Sequence, residues 1–453
     1  MTQIKNCNST TSITVNTAFR VYTSEYKLPG NQEIMKKTAL LVSLISCFHM
    51  STNAAKDLPQ ESCTSLPTVI ESTRVFDGSK IIPVASVVIQ CGLISDVTDG
   101  ESSQELPEGT TVIDGRGKTL LPGLMDAHVH TFRRDMLERM LDFGVTTVFD
   151  MGSVNKTFVK AIKNEDLESA ATDRADLFSG VLWATAPGSH GTQFGEIPTH
   201  TKQEDATEWV AQRAADGADF IKIIYDNFKM FDRPIPTLSK DTLFAIVEAA
   251  HAQNLKAVVH SRDVEAYTDV VAAGADGFVH LMVDELPGDA LIESIKNKNI
   301  FVSPNLSLAR HDGLRLVDDP SIGPMLSEEE IENLGKWRGL RREGGDQVEY
   351  DAMMAFHRAG VMILAGSDSP NGGTVGGASI HLELELMVQA GMSAVDALSS
   401  ATSRPALAFG LGDRGQIKAG MKADLVLVNG KPDQNIKDTR KLAVIWKAGV
   451  LHK

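Results

Sequence analysis

Apolar positions along the chain fall into two textures. From 67 to 118 they come in short runs, at 69–70, 73–76, 84–90 (VASVVIQ), 93–97 and 111–114, with turns at Asp77-Gly78 and Gly115. Short runs broken by Asp-Gly and Gly predict antiparallel strands. The same texture returns at 415–418, 423–429 (ADLVLVN), 442–447 and 450–451. Two β segments at opposite ends of a chain can pair, so 67–118 and 412–453 predict one composite β-sandwich. Between them, over 119–411, the rhythm changes to strand, helix, strand, helix. Strands are predicted at 120–127, 146–150, 177–184, 220–225, 257–260, 277–281, 300–303 and 361–365, with helices such as 241–254 and 353–359. Eight such units predict an α/β chain built on a (β/α)8, TIM-like barrel. A doubly wound open sheet is the alternative, but no Gly-rich phosphate fingerprint follows the first strand. The stretch 378–390, with Leu382, Leu384, Leu386 and Met387, reads as a core-packing helix.

Length changes this picture little, since 453 residues suit one large domain plus a smaller one. The formal charge of −15 argues against a nucleic-acid or anionic-membrane partner and leaves a small-molecule substrate. Oligomeric state, including a homo-oligomer, stays open. Residues 1–34 are polar and patternless and read as an upstream extension. Met35-Lys36-Lys37, the apolar run 38–50 and Thr52-Asn53-Ala54 then outline a secretory signal peptide over 35–54. The apolar run is too short for a stable membrane span. A periplasmic or secreted location is therefore expected, with a lipoprotein anchored at Cys47 as the less favoured variant. Cys63 and Cys91 would remain, and in an oxidising compartment their pairing is open.

Candidate chemistry sits where the inner strands end. His128 and His130, in TLLPGLMDAHVH, lie two apart at the close of the first strand, so they share a face and make half of a metal site. Lys222 sits in FIKII on the fourth strand. His260 closes the fifth strand, His280 the sixth, and Asp368 follows the eighth. In a barrel, functional residues cluster at that rim. Lys222 stands out among isoleucines, because a bare ammonium in a buried strand costs several kcal/mol, roughly.

These stretches resemble the metal-dependent amidohydrolase superfamily, nearest its imidazolonepropionase-like and Xaa-Pro dipeptidase-like branch. PGLMDAHVH is similar to the superfamily's HxH motif, IKIIYD to its carboxylated-lysine strand, VVHSR and FVHL to its single-histidine strands, and LAGSDS to its aspartate strand. The closing run from Ala401 to Leu425 fits as well, although Ser367 stands where Thr is usual and Arg404 where Asn is common. The resemblance implies two divalent transition ions, with four imidazoles favouring zinc. It implies that His128, His130 and Asp368 hold one ion and His260 and His280 the other. A carbamate formed from CO2 on Lys222, together with a hydroxide, would bridge them, and Asp368 would shuttle the proton. The implied activity is cleavage of an amide C–N bond, as in a dipeptide, an N-acyl amino acid or a cyclic amide. A lactone, ester or phosphotriester hydrolase on the same centre is the alternative, and a non-catalytic metal-binding scaffold the reading from another class. His190 in the Gly-rich loop 187–195, Tyr225, Arg262 and His381 are the candidate substrate contacts.

Overall fold

The structure is a computed structural model that describes residues 65–100, 106–200, 202–310, 312–336 and 345–453. The expected extension over 1–34, the expected signal peptide over 35–54 and Cys63 lie outside the described residues. Cys91 is disulfide-bonded. No helix among the described residues is long and apolar enough to cross a membrane.

The chain opens with β1 (Thr68–Phe76), β2 (Ile81–Gln90), β3 (Leu93–Asp99), β4 (Thr111–Asp114) and β5 (Lys118–Pro122). Then come β6 (Leu124–Val129), β7 (Val145–Asp150), β8 (Asp176–Ser179), β9 (Phe220–Ile224), β10 (Lys256–His260), β11 (Gly277–Val279) and β12 (Phe301–Ser303). It closes with β13 (Leu425–Asn429), β14 (Leu442–Lys447) and β15 (Val450–Leu451). Strands from both chain ends share one eight-stranded sheet, ordered β15-β14-β13-β5-β1-β2-β3 with β4 also on β1. Ile70, Val87, Leu120, Leu425 and Trp446 bury together against it.

The single strand expected at 120–127 is in fact two. Pro122 has no N–H to continue a ladder, and Gly123 lies so close to the next strand that a Cβ there would sit 2.2 Å from Thr146 Oγ1. The chain breaks between them. β5 runs antiparallel to β13 in the sheet of the two ends, whereas β6 pairs parallel with β7.

The inner strands are parallel, in the orders β6-β7-β8 and β9-β10-β11-β12. Parallel bridges Ala184↔Ile223, Val302↔Ile363 and Val129↔Ser369 join these sets through residues outside the named strands. Neighbours thus follow chain order from β6 to residue 363 and return to β6. Helices alternate with the strands, among them Lys156–Glu168, Lys240–Ala252 and Val264–Ala273. Their first turns are capped by Asn155, Ser239 and Asp263, each accepting from a backbone N–H three residues on.

Inward side chains of the parallel strands, including Phe149, Phe220, Val258 and Phe301, form a separate apolar layer. Phe409 plugs it, its ring 4.0 Å from that of Phe149 and 5.3 Å from that of Phe301. That end is filled, so polar side chains collect at the other.

Outside this layer, a buried charge network ties the start of β8 to the sheet of the two ends. Asp176 accepts from Lys422 Nζ at 2.6 Å and from Arg414, and Lys447 Nζ lies 2.9 Å from both Asp176 and Asp424. Burial alone would raise the Asp176 carboxyl, but the surrounding cations hold it well below the usual carboxylate range. Its contribution to stability is therefore present at neutral pH and is lost as pH falls below about 4. Lys447→Met leaves two buried carboxylates short of a cation and is expected to cost about 3–5 kcal/mol in a urea melt; a change under 1 kcal/mol would show the network to be dispensable.

Candidate active site

At the open end of the strands lies a cavity of about 540 Å³, lined by His128, His130, Lys222, His260, His280 and Asp368 among others. Strand periodicity explains most of this convergence. Phe220, Lys222 and Ile224 alternate inward on β9, as do Val258 and His260 on β10. His280 breaks the rule. Val279 belongs to the inner layer, so the next ring should turn outward, but left-handed backbone at His280 (φ +69°) re-aims it. Asp368 is left-handed too (φ +52°), and such positions cost about 1–3 kcal/mol each.

One carboxylate gathers three imidazoles. Asp368 Oδ1 lies 3.3 Å from His128 Nε2 and 3.1 Å from His130 Nε2, and Oδ2 lies 3.6 Å from His280 Nε2. One ligand atom from each of His128, His130 and Asp368 falls within 4.8 Å of the others, a grouping able to hold a cation. The outer ring nitrogens are engaged. His130 Nδ1 donates to the Gly152 carbonyl (2.9 Å), and His128 Nδ1 meets Asn305 Oδ1 (3.0 Å). Each neutral ring then keeps its lone pair on Nε2, facing inward. Burial holds His128, His260 and His280 well below the ordinary histidine pKa. Burial would lower His130 too, but the Asp368 carboxylate overrides it and raises that imidazole.

Lys222 and His260 complete the wall. Lys222 Nζ is buried with no hydrogen-bond partner among the described residues, and burial pushes its amine down to about 7. His260 Nε2 lies 3.1 Å from Asp226 Oδ2. With an ionised carboxylate that nitrogen is the donor, which leaves Nδ1 with the lone pair.

Of the four expected substrate contacts, His190 and Arg262 line the cavity. The His190 ring lies 5.0 Å from that of His260, and the Arg262 guanidinium sits 5.0 Å from the Phe231 ring. Arg262 makes no ion pair among the described residues. The other two expectations are corrected. Tyr225 stands at an odd offset from Lys222, so its side chain leaves on the opposite face, where its hydroxyl donates to Asp269 (3.0 Å). His381 is buried in the helix Ala378–Gln389, with Nε2 donating to the Phe143 carbonyl and Nδ1 on Thr439 Oγ1, both at 3.0 Å. Neither lines the cavity.

Residues 119–453 match the amidohydrolase family. The chain belongs to the amidohydrolase family. It is 24% identical over 419 residues to the imidazolonepropionase of Idiomarina loihiensis, covering 83% of this chain and 94% of that one. Among solved structures, a Xaa-Pro dipeptidase with bound methionine in its active site superposes with a TM-score of 0.69 at 23% identity, over 85% of this chain and all of that one. A prolidase complexed with N-methylphosphonate-L-proline gives 0.68 at 22% identity, over 85% and 99%. Family and neighbours imply a TIM-like barrel, and the expectation of an amidohydrolase acting on C–N bonds is met.

Three residues of this amidohydrolase site escaped sequence reasoning. Asn305 joins both histidine pairs, since Oδ1 meets His128 and accepts from the His280 N–H (3.0 Å) while Nδ2 donates to the Gly366 carbonyl (2.9 Å). It follows β12, the seventh inner strand, whose end (Ser303-Pro304-Asn305) carries no imidazole or carboxylate to mark it. Asp126 accepts from the Ser367 hydroxyl (2.5 Å) and N–H (2.9 Å), fastening the Asp368 segment to β6, and burial raises its carboxyl to about 7. Asp226, just past β9, is the third. None of the three lines the cavity; Asn305 and Asp226 hold histidine rings and Asp126 holds the Ser367 segment, so no ligand pattern reveals them.

Proposed function

We propose that this amidohydrolase is a binuclear metal-dependent hydrolase cleaving the C–N bond of an amide that carries a free carboxylate, such as a dipeptide or an N-acyl amino acid. The observation that carries the reading is Lys222 Nζ, buried beside the His128–His130–Asp368 cluster without a hydrogen-bond partner among the described residues. An ammonium left so is costly, and a carbamate would relieve it. The neutral amine attacks CO2, a C–N bond forms, one proton passes to solvent, and the product is an anion.

The donor set fits two cations. His128, His130 and Asp368 would hold one, His260 through Nδ1 and His280 through Nε2 the other, and the Lys222 carbamate would join them. Mixed imidazole and carboxylate donors favour zinc or another transition ion. When bound, such ions supply a water of pKa near roughly 7 and a Lewis acid for the scissile carbonyl. Asp368 then takes the proton of the attacking water and returns it to the leaving amine. Asn371 Nδ2 donates to Asp368 Oδ1 (2.8 Å) and holds the carboxylate in place. Arg262, in the cavity wall and without an ion pair among the described residues, meets the substrate carboxylate.

The ring of parallel neighbours supports a closed (β/α)8 barrel, and the sheet of the two ends supports a small β-sandwich beside it. The signal-like segment 35–54 supports a periplasmic or secreted location.

The test is hydrolysis by protein supplied with zinc and bicarbonate, against N-acyl amino acids, Xaa-Pro dipeptides, lactones and phosphotriesters. Amide turnover that is lost on chelation is the expected result. Bound metal with no turnover of any of these would favour the scaffold. Arg262→Ala should raise KM for the carboxylate-bearing amide about 10- to 100-fold; an unchanged KM would remove Arg262 from the site.

A further inference from the structure

One side of the cavity wall plays no part in the ligand set. Phe132 follows β6, Met151 and Val154 follow β7, and Trp183 and Phe194 follow β8, and all five line the cavity. Phe132, Val154 and Phe194 are 37%, 45% and 48% exposed. Large apolar side chains gathered in water at the mouth of one cavity mark a surface that an apolar ligand covers.

The backbone is shaped to keep the largest of them there. Trp183 packs edge-on to His130, ring centroids 6.3 Å apart, and edge-on to Phe194 at 6.2 Å. Glycines make room for the indole. A Cβ at Gly152 would lie 2.3 Å from Trp183 Cε3, and one at Gly191 would lie 2.2 Å from Trp183 Nε1. Both glycines have left-handed backbone (φ +129° and +96°), which side chains rarely adopt.

The guanidinium lies elsewhere along the wall. From Phe194 the rings pass to His190 (6.0 Å), Phe228 (5.0 Å) and Phe231 (5.8 Å), and only then to Arg262 (5.0 Å). The cavity thus has an apolar region next to His130 and a cationic one at the other end of this chain of rings.

Resting on the amide-hydrolase reading, we infer that the substrate is an N-acyl amino acid whose acyl group is bulky and apolar, an aromatic or medium-chain aliphatic acid. The acyl group lies among Phe132, Met151, Val154, Trp183 and Phe194, while the amino-acid carboxylate lies on Arg262. The cavity volume of about 540 Å³ accommodates such a ligand.

The test is a series of N-acyl-L-alanines, from acetyl through hexanoyl to octanoyl and benzoyl, on zinc-loaded protein. Each methylene buried is worth about fourfold, so kcat/KM should rise about 50-fold or more from acetyl to octanoyl. Phe194→Ala, at an exposed position where truncation spares the fold, should shrink that ratio about tenfold. Amide turnover indifferent to acyl length would overturn the inference and leave the amide-hydrolase reading standing. Calorimetry of octanoate, benzoate and acetate on the same protein needs no turnover. Octanoate and benzoate should bind about tenfold or more tighter than acetate even if no amide is cleaved. Equal affinities, or no binding of any of them, would overturn the inference.

Discussion

Asp368→Asn should lower kcat by about 10³-fold or more and leave the circular dichroism spectrum and the melting temperature close to those of the parent. The expectation follows from where the carboxylate stands. Its two oxygens are shared among the Nε2 atoms of His128, His130 and His280 at 3.1–3.6 Å. An amide of the same shape keeps one acceptor oxygen but can neither carry a negative charge nor accept a proton at neutral pH. Both the ligand and the base are therefore lost in one substitution, whereas the packing around a buried, isosteric side chain is kept. Rates within a few-fold of the parent would reject Asp368 as the proton carrier.

Lys222→Ala should strip the protein of metal. The substitution removes a lysine of the cavity wall and opens a small space between the two groups of ligands. If the amine works as a carbamate, the missing part is a short anion, and acetate or propionate should restore part of both metal content and turnover. Ordinary loss of packing would not respond to added carboxylate. Full metal retention in the variant, with no response to acetate, would count against the carbamate and for a lysine that only fills the wall.

The same residues show how far local pattern reaches. His128, His130, Lys222 and His260 could be nominated from the sequence because strand alternation is local, and each closes or interrupts an apolar run. Tyr225 failed by that very rule, since an odd offset from Lys222 sends it to Asp269. His381 failed because position after the Asp368 loop says nothing about which face of a helix is buried. The break at Pro122-Gly123 was visible as residue types, yet its meaning depends on Thr146 and on β13, some three hundred residues away in the chain. Register between chain ends is a long-range property, and no local pattern contains it. Asn305, Asp226 and Asp126 were missed for a related reason. They act on ligands and backbone instead of on a cation, and an amide or carboxylate that orients a ring carries no spacing signature.

Anomalous diffraction at the zinc edge, from crystals grown with zinc and bicarbonate, tests the central claim most directly. Two peaks are predicted inside the cavity, one bounded by His128, His130 and Asp368 and one by His260 and His280, with density for a carbamate on Lys222 reaching both. A cavity without any peak, or zinc held only by surface residues, would contradict the account.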